Sequence, residues 1–585
     1  MVRPIAQISC WIAGDLPEGV KRPAGFRANK SLHGKVRHHN SQASVDVPLF
    51  PGRAVAVGRD HHENDISINH PNVSRAHFVI YSVIYDLDDV QSQPPIIYVR
   101  DCQSLEGTYV DGNCIGNKEK GASTGYYLSR DVVITIKPHW KFRVSLLDHY
   151  ELRTPLNAIQ LKESSVGSVK LLCHSDEIND EIQLFNHRYT ITERTLGSGA
   201  FALVYLAIDV NTGSQLACKI HDLDRLQRFS SSKDLIRRIM HETDILGKLR
   251  HPNLPTFEYA FRSKHTLYTF TELATGGDLF SMRLVRGVFA EKDCKFIIQQ
   301  VVNAIRYLHE GGIAHRDLKP ENILFAAGPG VTGRVILSDL GFAKSTASGR
   351  MASRVGTSQY MAPEVEYGRT HDLAVDIWSL GMIVMFLLAP DHLVAPSSLM
   401  EWSQVAINQW LDSAFEDPSH QEISKHCQLF IRSCLMFEPG RRIKASEARH
   451  HPWFQQLPDK GQFKFQMQEN TKTWKPTHLI APPVQELPDM RSASHGARLV
   501  RGEDTTHESA GTSKLGKRKL VGAGPGAEYS KASPYFAEPK PLAPKRLKMS
   551  ASGQENPQIN RKAKQSASNP ELRKARFSSP DPLSQ

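Results

Sequence analysis

Residues His315 to Asn322 read HRDLKPEN, and the reading of this octet decides how the rest of the chain is understood. It sets a carboxylate, an ammonium and an amide in one short loop. Asp317 can accept a hydroxyl proton, Lys319 can neutralise an anionic group in transfer, and Asn322 together with Asp339 can hold magnesium between phosphates. Upstream, LGSGAFALVYLAIDVNTGSQLACKI at 196 to 220 reads as strand, glycine turn, second strand and lysine. Gly197 and Gly199 let the backbone approach phosphates, and Lys219 can pair with them. Glycine turns between strands are common punctuation, and Ala202 stands where GxGxxG has its third glycine, so this stretch is weak evidence alone. Order supplies the specificity. Glu242, in the helical pattern MHETDIL, can pair with Lys219; DLG follows at 339 to 341, APE at 362 to 364, and DIWSLG from Asp376.

Working outward, short strands (YTITERTL, LVYLAI, QLACKI) give way to long helical patterns such as DCKFIIQQVVNAIRYLHEGG and DIWSLGMIVMFLLA. Strands first and helices after imply a two-lobed α+β domain from Arg188 to Phe454. The first 150 residues differ, with short alternating runs such as GTYV and DVVITI separated by Gly, Asn and Asp turns, which predicts an all-β sandwich. Residues 151–187, with the acidic SDEINDE, read as a linker.

The 585 residues, 40% of them hydrophobic, suffice for several full cores. SLGMIVMFLLAP is too short to cross a bilayer, and the N-terminus lacks a signal-peptide core, so no membrane partner is expected. Eight scattered cysteines without a CxxC pair indicate neither a disulfide framework nor a zinc site. The net charge is +11, and residues 455–585 hold 22 Lys and Arg against 12 Asp and Glu. The folded part is thus nearly neutral, which argues against direct nucleic-acid binding by the domains. Rich in Pro, Ser, Gly and Lys with few aromatics, 455–585 reads as a disordered basic tail. KRKL at Lys517 to Leu520 and APKRLKMS at Ala543 to Ser550 are similar to nuclear import signals, so a nucleus address is expected.

Near the N-terminus, GRD, SRAH and GTYVDGN occur in order, with Arg59, Ser74, Arg75 and His77 set between β-forming residues. A guanidinium fork and a hydroxyl suit a bound anion. The pattern resembles a forkhead-associated (FHA) domain, whose loops bind phosphothreonine peptides. The resemblance implies that Arg59 and Ser74 hold the phosphate, Arg75 assists, His77 braces the loop, and Gly107 and Thr108 shape its neighbour. Where that family has Asn, this chain has Glu106, which cannot donate a hydrogen bond and would repel phosphate.

Residues 188 to 454 closely resemble the eukaryotic protein kinases, and HRDLKPEN with GTSQYMAPE resembles their serine/threonine branch. The resemblance implies a bilobal fold, transfer of the ATP γ-phosphate with Mg2+, and catalysis by Asp317, Lys319 and Asn322. Metal would be held by Asn322 and Asp339. ATP would be lined by Leu196, Gly197, Ser198, Gly199, Val204, Ala217, Lys219 and Glu242, with Thr271 as gatekeeper, Glu272 to Ala274 lending backbone groups to adenine, and Asp278 at the ribose. His315, Arg316, Thr357, Glu364, Asp376 and Arg442 would be structural. Activation-loop phosphosites are expected at Ser353, Thr346 or Ser348. Leu340 replaces the usual Phe in an apolar slot. Asp278 and Glu321 predict substrates with an arginine upstream. One FHA domain joined to such a kinase resembles the DNA-damage checkpoint effector kinases, with partners that carry phosphothreonine and with FHA-mediated self-association. No Thr-Gln occurs, and Ser-Gln pairs such as Ser41, Ser92 and Ser584 are scattered. A meiotic or downstream paralogue, and a phosphopeptide scaffold with an inert kinase lobe, are the alternatives.

Overall fold

A computed structural model describes residues 4–12, 26–28, 35–39, 42–84, 95–119, 124–147, 176–198, 202–228, 232–330, 333–340, 344–345, 358–369, 371–389, 403–417, 423–455, 468, 474 and 484–489. Alternating burial marks the N-terminal strands, as in Val132–Ile136 and Trp140–Leu146, where every second side chain enters the core. The strands are β1 (Ala6–Ile12), β2 (Phe26–Ala28), β3 (Lys35–His39), β4 (Gln42–Leu49), β5 (Ala54–Gly58), β6 (Ile66–Ile68), β7 (Phe78–Val83), β8 (Ile96–Asp101), β9 (Thr108–Val110), β10 (Asn113–Gly116), β11 (Tyr126–Tyr127), β12 (Val132–Ile136) and β13 (Trp140–Leu146). They form two sheets, ordered β10-β9-β12-β13-β1-β4-β3 and β11-β8-β7-β5-β6-β2. Ile8, Val57, Ile80, Ile134, Trp140 and Phe142 lie in the core between them.

The expected linker does not run to residue 187. Asp176–Phe185 is a helix, α1, and it belongs to the kinase lobe. Its Ile182 and Phe185 are buried against Tyr189, Phe261, Tyr268 and Phe270. Tyr268 Oη donates to the Glu181 carboxylate at 2.8 Å, so the acidic stretch read as linker supplies a buried acceptor. The lobe continues with β14 (Tyr189–Ser198), β15 (Ala202–Asp209), β16 (Gln215–Asp222), α2 (Leu223–Gln227), α3 (Ser232–Lys248), β17 (Phe257–Arg262) and β18 (Thr266–Glu272). Its sheet runs β14-β15-β16-β18-β17 and takes a sixth strand beside β17.

Below lie α4 (Leu279–Arg286), α5 (Glu291–Glu310), β19 (Ile313–Ala314), β20 (Ile323–Phe325), β21 (Val335–Leu337), β22 (Lys344–Ser345), α6 (Pro363–Glu366), α7 (Ala374–Leu388), α8 (Gln404–Glu416), α9 (Lys425–Cys434), α10 (Ala445–Ala448) and α11 (Pro452–Gln455). In α7 every residue from Val375 to Leu388 is buried, and α5 packs its apolar stripe beside it. No helix among the described residues is long and apolar enough to cross a membrane. The sixth strand of the upper sheet is β23 (Gln485–Glu486), so residues 484–489, expected within a disordered tail, are built onto the kinase lobe.

The sandwich rests on the kinase. Val79, Tyr81, Val83, Ile96 and Tyr98 of β7 and β8 form one apolar group with Leu196, Leu206 and Leu273. Tyr81 Oη donates to Thr275 Oγ1 at 3.0 Å and accepts from Gly328 N at 3.3 Å. Gly125 N and Tyr127 N donate to Thr275 Oγ1 and Gln215 Oε1 at 2.9 and 2.8 Å.

Candidate active site and phosphate-reading loops

The cleft between the lobes is assembled from four segments. Antiparallel pairing of β15 with β16 sets Val204 opposite Lys219, and β16 with β18 sets Ala217 opposite Thr271. Val204 and Ala217 pack with Leu196 and Leu273 into an apolar slot. Lys219 Nζ lies 3.0 Å from Glu242 Oε1 on α3 and 3.4 Å from Asp339 Oδ1. Desolvation works against the ammonium, but Asp339 and Glu242 outweigh it and raise the lysine above its ordinary range. A lysine held charged between two lobes can meet phosphate oxygens.

Beyond the slot, Glu272 Oε1 accepts from Thr256 N and Oγ1 at 2.8 Å, and its carboxylate pairs with Arg334. Gly276 follows in the connecting segment, where an added Cβ would come within 2.5 Å of Phe325 Cβ, so only glycine lets this backbone lie against β20. Asp278 caps α4, accepting from Ser281 N and Oγ at 2.7 and 2.8 Å. Burial raises the Asp278 and Glu321 carboxyls above their usual range.

The HRDLKPEN loop is held from beneath. Asp376, at the start of α7, accepts from His315 N and Arg316 N at 2.9 and 2.8 Å and faces His309 Nε2 at 2.8 Å. Burial alone would raise this carboxyl, but the bond from His309 and the nearby backbone donors bring it below its ordinary value. His315 donates from Nε2 to Ser338 O at 2.9 Å while its Nδ1 faces Asp317 N at 3.3 Å. Arg316 takes φ +69° and Asp339 φ +61°, left-handed conformations that non-glycine residues keep only under surrounding constraint. Asp317 is buried, with Lys319 Nζ 3.0 Å from its Oδ2. Asn322 Nδ2 donates to Asp317 O and Oδ2 at 2.7 and 3.1 Å, which orients the acceptor oxygen of this amide away from the loop. An amide oxygen at Asn322 and a carboxylate at Asp339 form an all-oxygen donor pair, the chemistry Mg2+ takes. Leu340, in place of Phe, is buried in the same core as Leu246. Lower down, Arg442 grips Glu364 by two bonds of 2.6 and 2.7 Å, with both side chains buried.

In the sandwich, Arg59 and Ser74 are joined by a bond from Arg59 N to Ser74 O at 2.8 Å, and Asp60 N donates to Arg75 O at 3.2 Å. Gly58 permits this close approach, since a Cβ there would meet Arg75 O at 2.1 Å. His77 is fully buried. Its Nδ1 accepts from Ser74 N and its Nε2 donates to Gly107 O, both at 3.2 Å, so the ring joins the two loops as a neutral tautomer. Burial lowers its pKa, in keeping with that tautomer. Gly107 takes φ +82°, and Thr108 Oγ1 donates to Asp101 at 2.5 Å. Ser74 Oγ accepts from Leu105 N at 3.0 Å, which puts the exposed Glu106 at the rim beside it. Arg59 and Arg75 are exposed at the same rim.

Residues 190–454 match the protein kinase domain and residues 55–134 match the FHA domain. The chain is 32% identical over 412 residues to the meiosis-specific serine/threonine-protein kinase mek1 of Schizosaccharomyces pombe, covering 68% of this chain and 81% of that one. This chain belongs to the FHA-containing serine/threonine protein kinases. A second member, the serine/threonine-protein kinase cds1 of the same yeast, is 30% identical over 402 residues, with 67% of this chain and 80% of cds1 covered. The human calcium/calmodulin-dependent protein kinase type 1B is 35% identical over 267 residues, 45% of this chain and 74% of that one.

As an FHA-containing kinase the chain binds ATP, acts on protein serine or threonine, and carries a module for phosphothreonine peptides. Gly199, Gly341, Thr346, Ser348, Ser353, Thr357 and the basic clusters at 517–520 and 543–550 lie outside the described residues. Sequence reasoning missed Tyr81 and Thr275, the contact between the sandwich and the segment after β18. Their separation of 194 positions leaves no local signal.

Proposed function

We propose that this kinase is recruited by its FHA domain to phosphothreonine-bearing proteins and phosphorylates serine or threonine downstream of an arginine in nuclear checkpoint signalling. The observation that carries the reading is the assembled cleft, with Lys219 against Glu242 and Asp317 against Lys319 and Asn322, in the same chain as an intact Arg59–Ser74–His77 cradle. In transfer, the acceptor hydroxyl oxygen bonds to the γ-phosphorus as the bond to the bridging oxygen of ADP breaks. Asp317 takes the hydroxyl proton, Lys319 neutralises charge on the transferring group, and Lys219 holds the remaining phosphates. Mg2+, held by Asn322 and Asp339, would screen the phosphate charge.

Asp278, half-buried, and Glu321, exposed, support the arginine preference, because two neighbouring carboxylates gain from a guanidinium that pairs with both. The basic clusters of 510–550 support nuclear import. Pairing of an activation-loop phosphate, Ser353 foremost, with Arg316 would supply activation, and FHA binding to a phosphorylated second copy would bring two such loops together. A meiotic role is the second reading, favoured by the mek1 similarity.

Labelled-phosphate transfer from ATP to a serine/threonine peptide array, wild type against Asp317→Ala, tests the reading. Signal lost in the variant and concentrated on peptides with an upstream arginine supports it. A preference for proline or acid with no arginine signal overturns the substrate class, and equal signal from both proteins overturns the catalytic assignment.

A further inference from the structure

The edge of the upper sheet is occupied by the chain's own later residues. β23 runs parallel to β17, with Gln485 opposite Phe261 and Glu486 opposite Arg262, and Leu487 N donates to Arg262 O at 2.7 Å. Side chains fix the register. Tyr259 Oη meets Gln485 Oε1 at 3.2 Å, Arg262 Nε meets Glu486 Oε2 at 3.1 Å, and Lys264 Nζ meets Asp489 Oδ2 at 3.4 Å. His265 lies between two carboxylates, with Nδ1 2.9 Å from Asp224 and Nε2 3.3 Å from Asp489.

Two apolar anchors lie either side of this ladder. Leu487 packs on the group of Phe185, Tyr189, Phe261 and Phe270. Val484 packs on Leu223, Leu226, Ile239 and Leu267, together with Ile236 and Met240 of α3. Arg262, which pairs with Glu486, also reaches Met240 Sδ at 3.6 Å. The segment therefore touches both the edge strand and the helix that carries Glu242. Val484 also packs on the core group that holds Ile245, Leu246 and Leu249 of α3, and among the described contacts the segment meets none of Lys219, Asp317 or Asp339.

We propose that Val484–Asp489 is a built-in activating latch, which adds a strand to the sheet edge and seats α3 so that Glu242 meets Lys219. Main-chain pairing gives it hold, and the two apolar anchors give it register. It acts through α3, so its residues are positioning residues and not catalytic ones. With one short strand and two half-buried anchors, its hold draws on being part of the same chain, which an added peptide has to replace by concentration. Release would leave a kinase with a complete HRDLKPEN loop and a loosened Lys219–Glu242 pair.

The test uses the full chain bearing Val484→Asp and Leu487→Asp together. Transfer to a serine/threonine peptide library should fall about ten-fold or more, and α3 amides from Ile239 to Lys248 should exchange faster with deuterated water while those of α5 do not. A synthetic peptide of residues 482–491, added at millimolar concentration, should restore at least half of the lost activity and the α3 protection, and the same peptide with Leu487→Asp should do neither. Unchanged or increased transfer by the double variant, or loss that the wild-type peptide fails to restore, overturns the latch. Phosphothreonine-peptide binding by the variant reports that the remainder of the chain is folded, independently of the kinase cleft.

Discussion

Replacing His77 by Ala separates bracing from gripping in the phosphate-reading loops. The ring is fully buried and makes two hydrogen bonds, accepting from Ser74 N and donating to Gly107 O at 3.2 Å each. Truncation leaves the part-buried Ser74 N–H and the buried Gly107 carbonyl without their partner, at about 1–3 kcal/mol each, for a loss of about 2–6 kcal/mol. At roughly 2–4 °C per kcal/mol, the sandwich transition should move down by about 4–24 °C. Arg59 is exposed, and Arg59→Ala should shift that transition by less than about 2 °C, in line with the ±0.5 kcal/mol usual for surface changes. Both variants should lose phosphothreonine-peptide binding, Arg59→Ala by about 10- to 100-fold through a missing charge-assisted contact. Scanning calorimetry of the full chain and fluorescence titration with the peptide read the two effects. Equal melting of both variants would refute the brace.

The same ring has a pH signature. Its folded pKa lies below the unfolded value near 6.5, so the unfolded chain binds the extra proton first. Stability from His77 is fully present above about pH 6.5 and is lost as pH falls through the folded pKa, by at most about 1.4 kcal/mol per pH unit. Protonated Nδ1 would face the Ser74 N–H donor to donor, so peptide affinity should fall in the same window.

Glu106→Asn removes a carboxylate beside Ser74 and should strengthen peptide binding about five-fold, the factor for roughly 1 kcal/mol of repulsion at the surface; an unchanged titration would show that Glu106 stands clear of the peptide. Glu364→Gln leaves the Arg442 guanidinium buried without its counter-charge and should cost about 3 kcal/mol, lowering the kinase transition in calorimetry by about 6–12 °C. Tyr81→Phe keeps the ring but loses the bond to Thr275, so the KM for ATP should rise about 2- to 10-fold with kcat held within two-fold; equal change in both would place the effect elsewhere.

What the sequence disclosed and what it concealed differ in kind. Lys219, Glu242, Asp317, Asn322 and Asp339 were legible because their chemistry demands particular residue types in a particular order, and their spacing along the chain survives translation into text. His77 was legible for the same reason, though its two bonds were not. Helix α1 was hidden because, among its described residues, Ile182 and Phe185 are the buried apolar ones, and the acidic run around Glu181 gives no sign of burial until Tyr268 is seen to donate into it. β23 was hidden more deeply. QE between prolines has little intrinsic preference for a strand, and what makes it one is the free edge of β17, more than two hundred residues earlier.

Strand β7 serves both neighbours of the sandwich core. Phe78 and Ile80 point inward, while Val79, Tyr81 and Val83 point at the kinase, joined there by Ile96 and Tyr98 of β8. A sheet with apolar residues on both faces behaves like the middle layer of a three-layer protein, although the chain reads as two modules. A fragment ended near residue 150 would carry that outer face into water as a continuous aromatic and aliphatic patch, the kind of surface that drives self-association. The kinase therefore covers a face that the phosphate reader alone would expose, and a reader excised for study would need Val79, Tyr81 and Val83 made polar to stay dispersed.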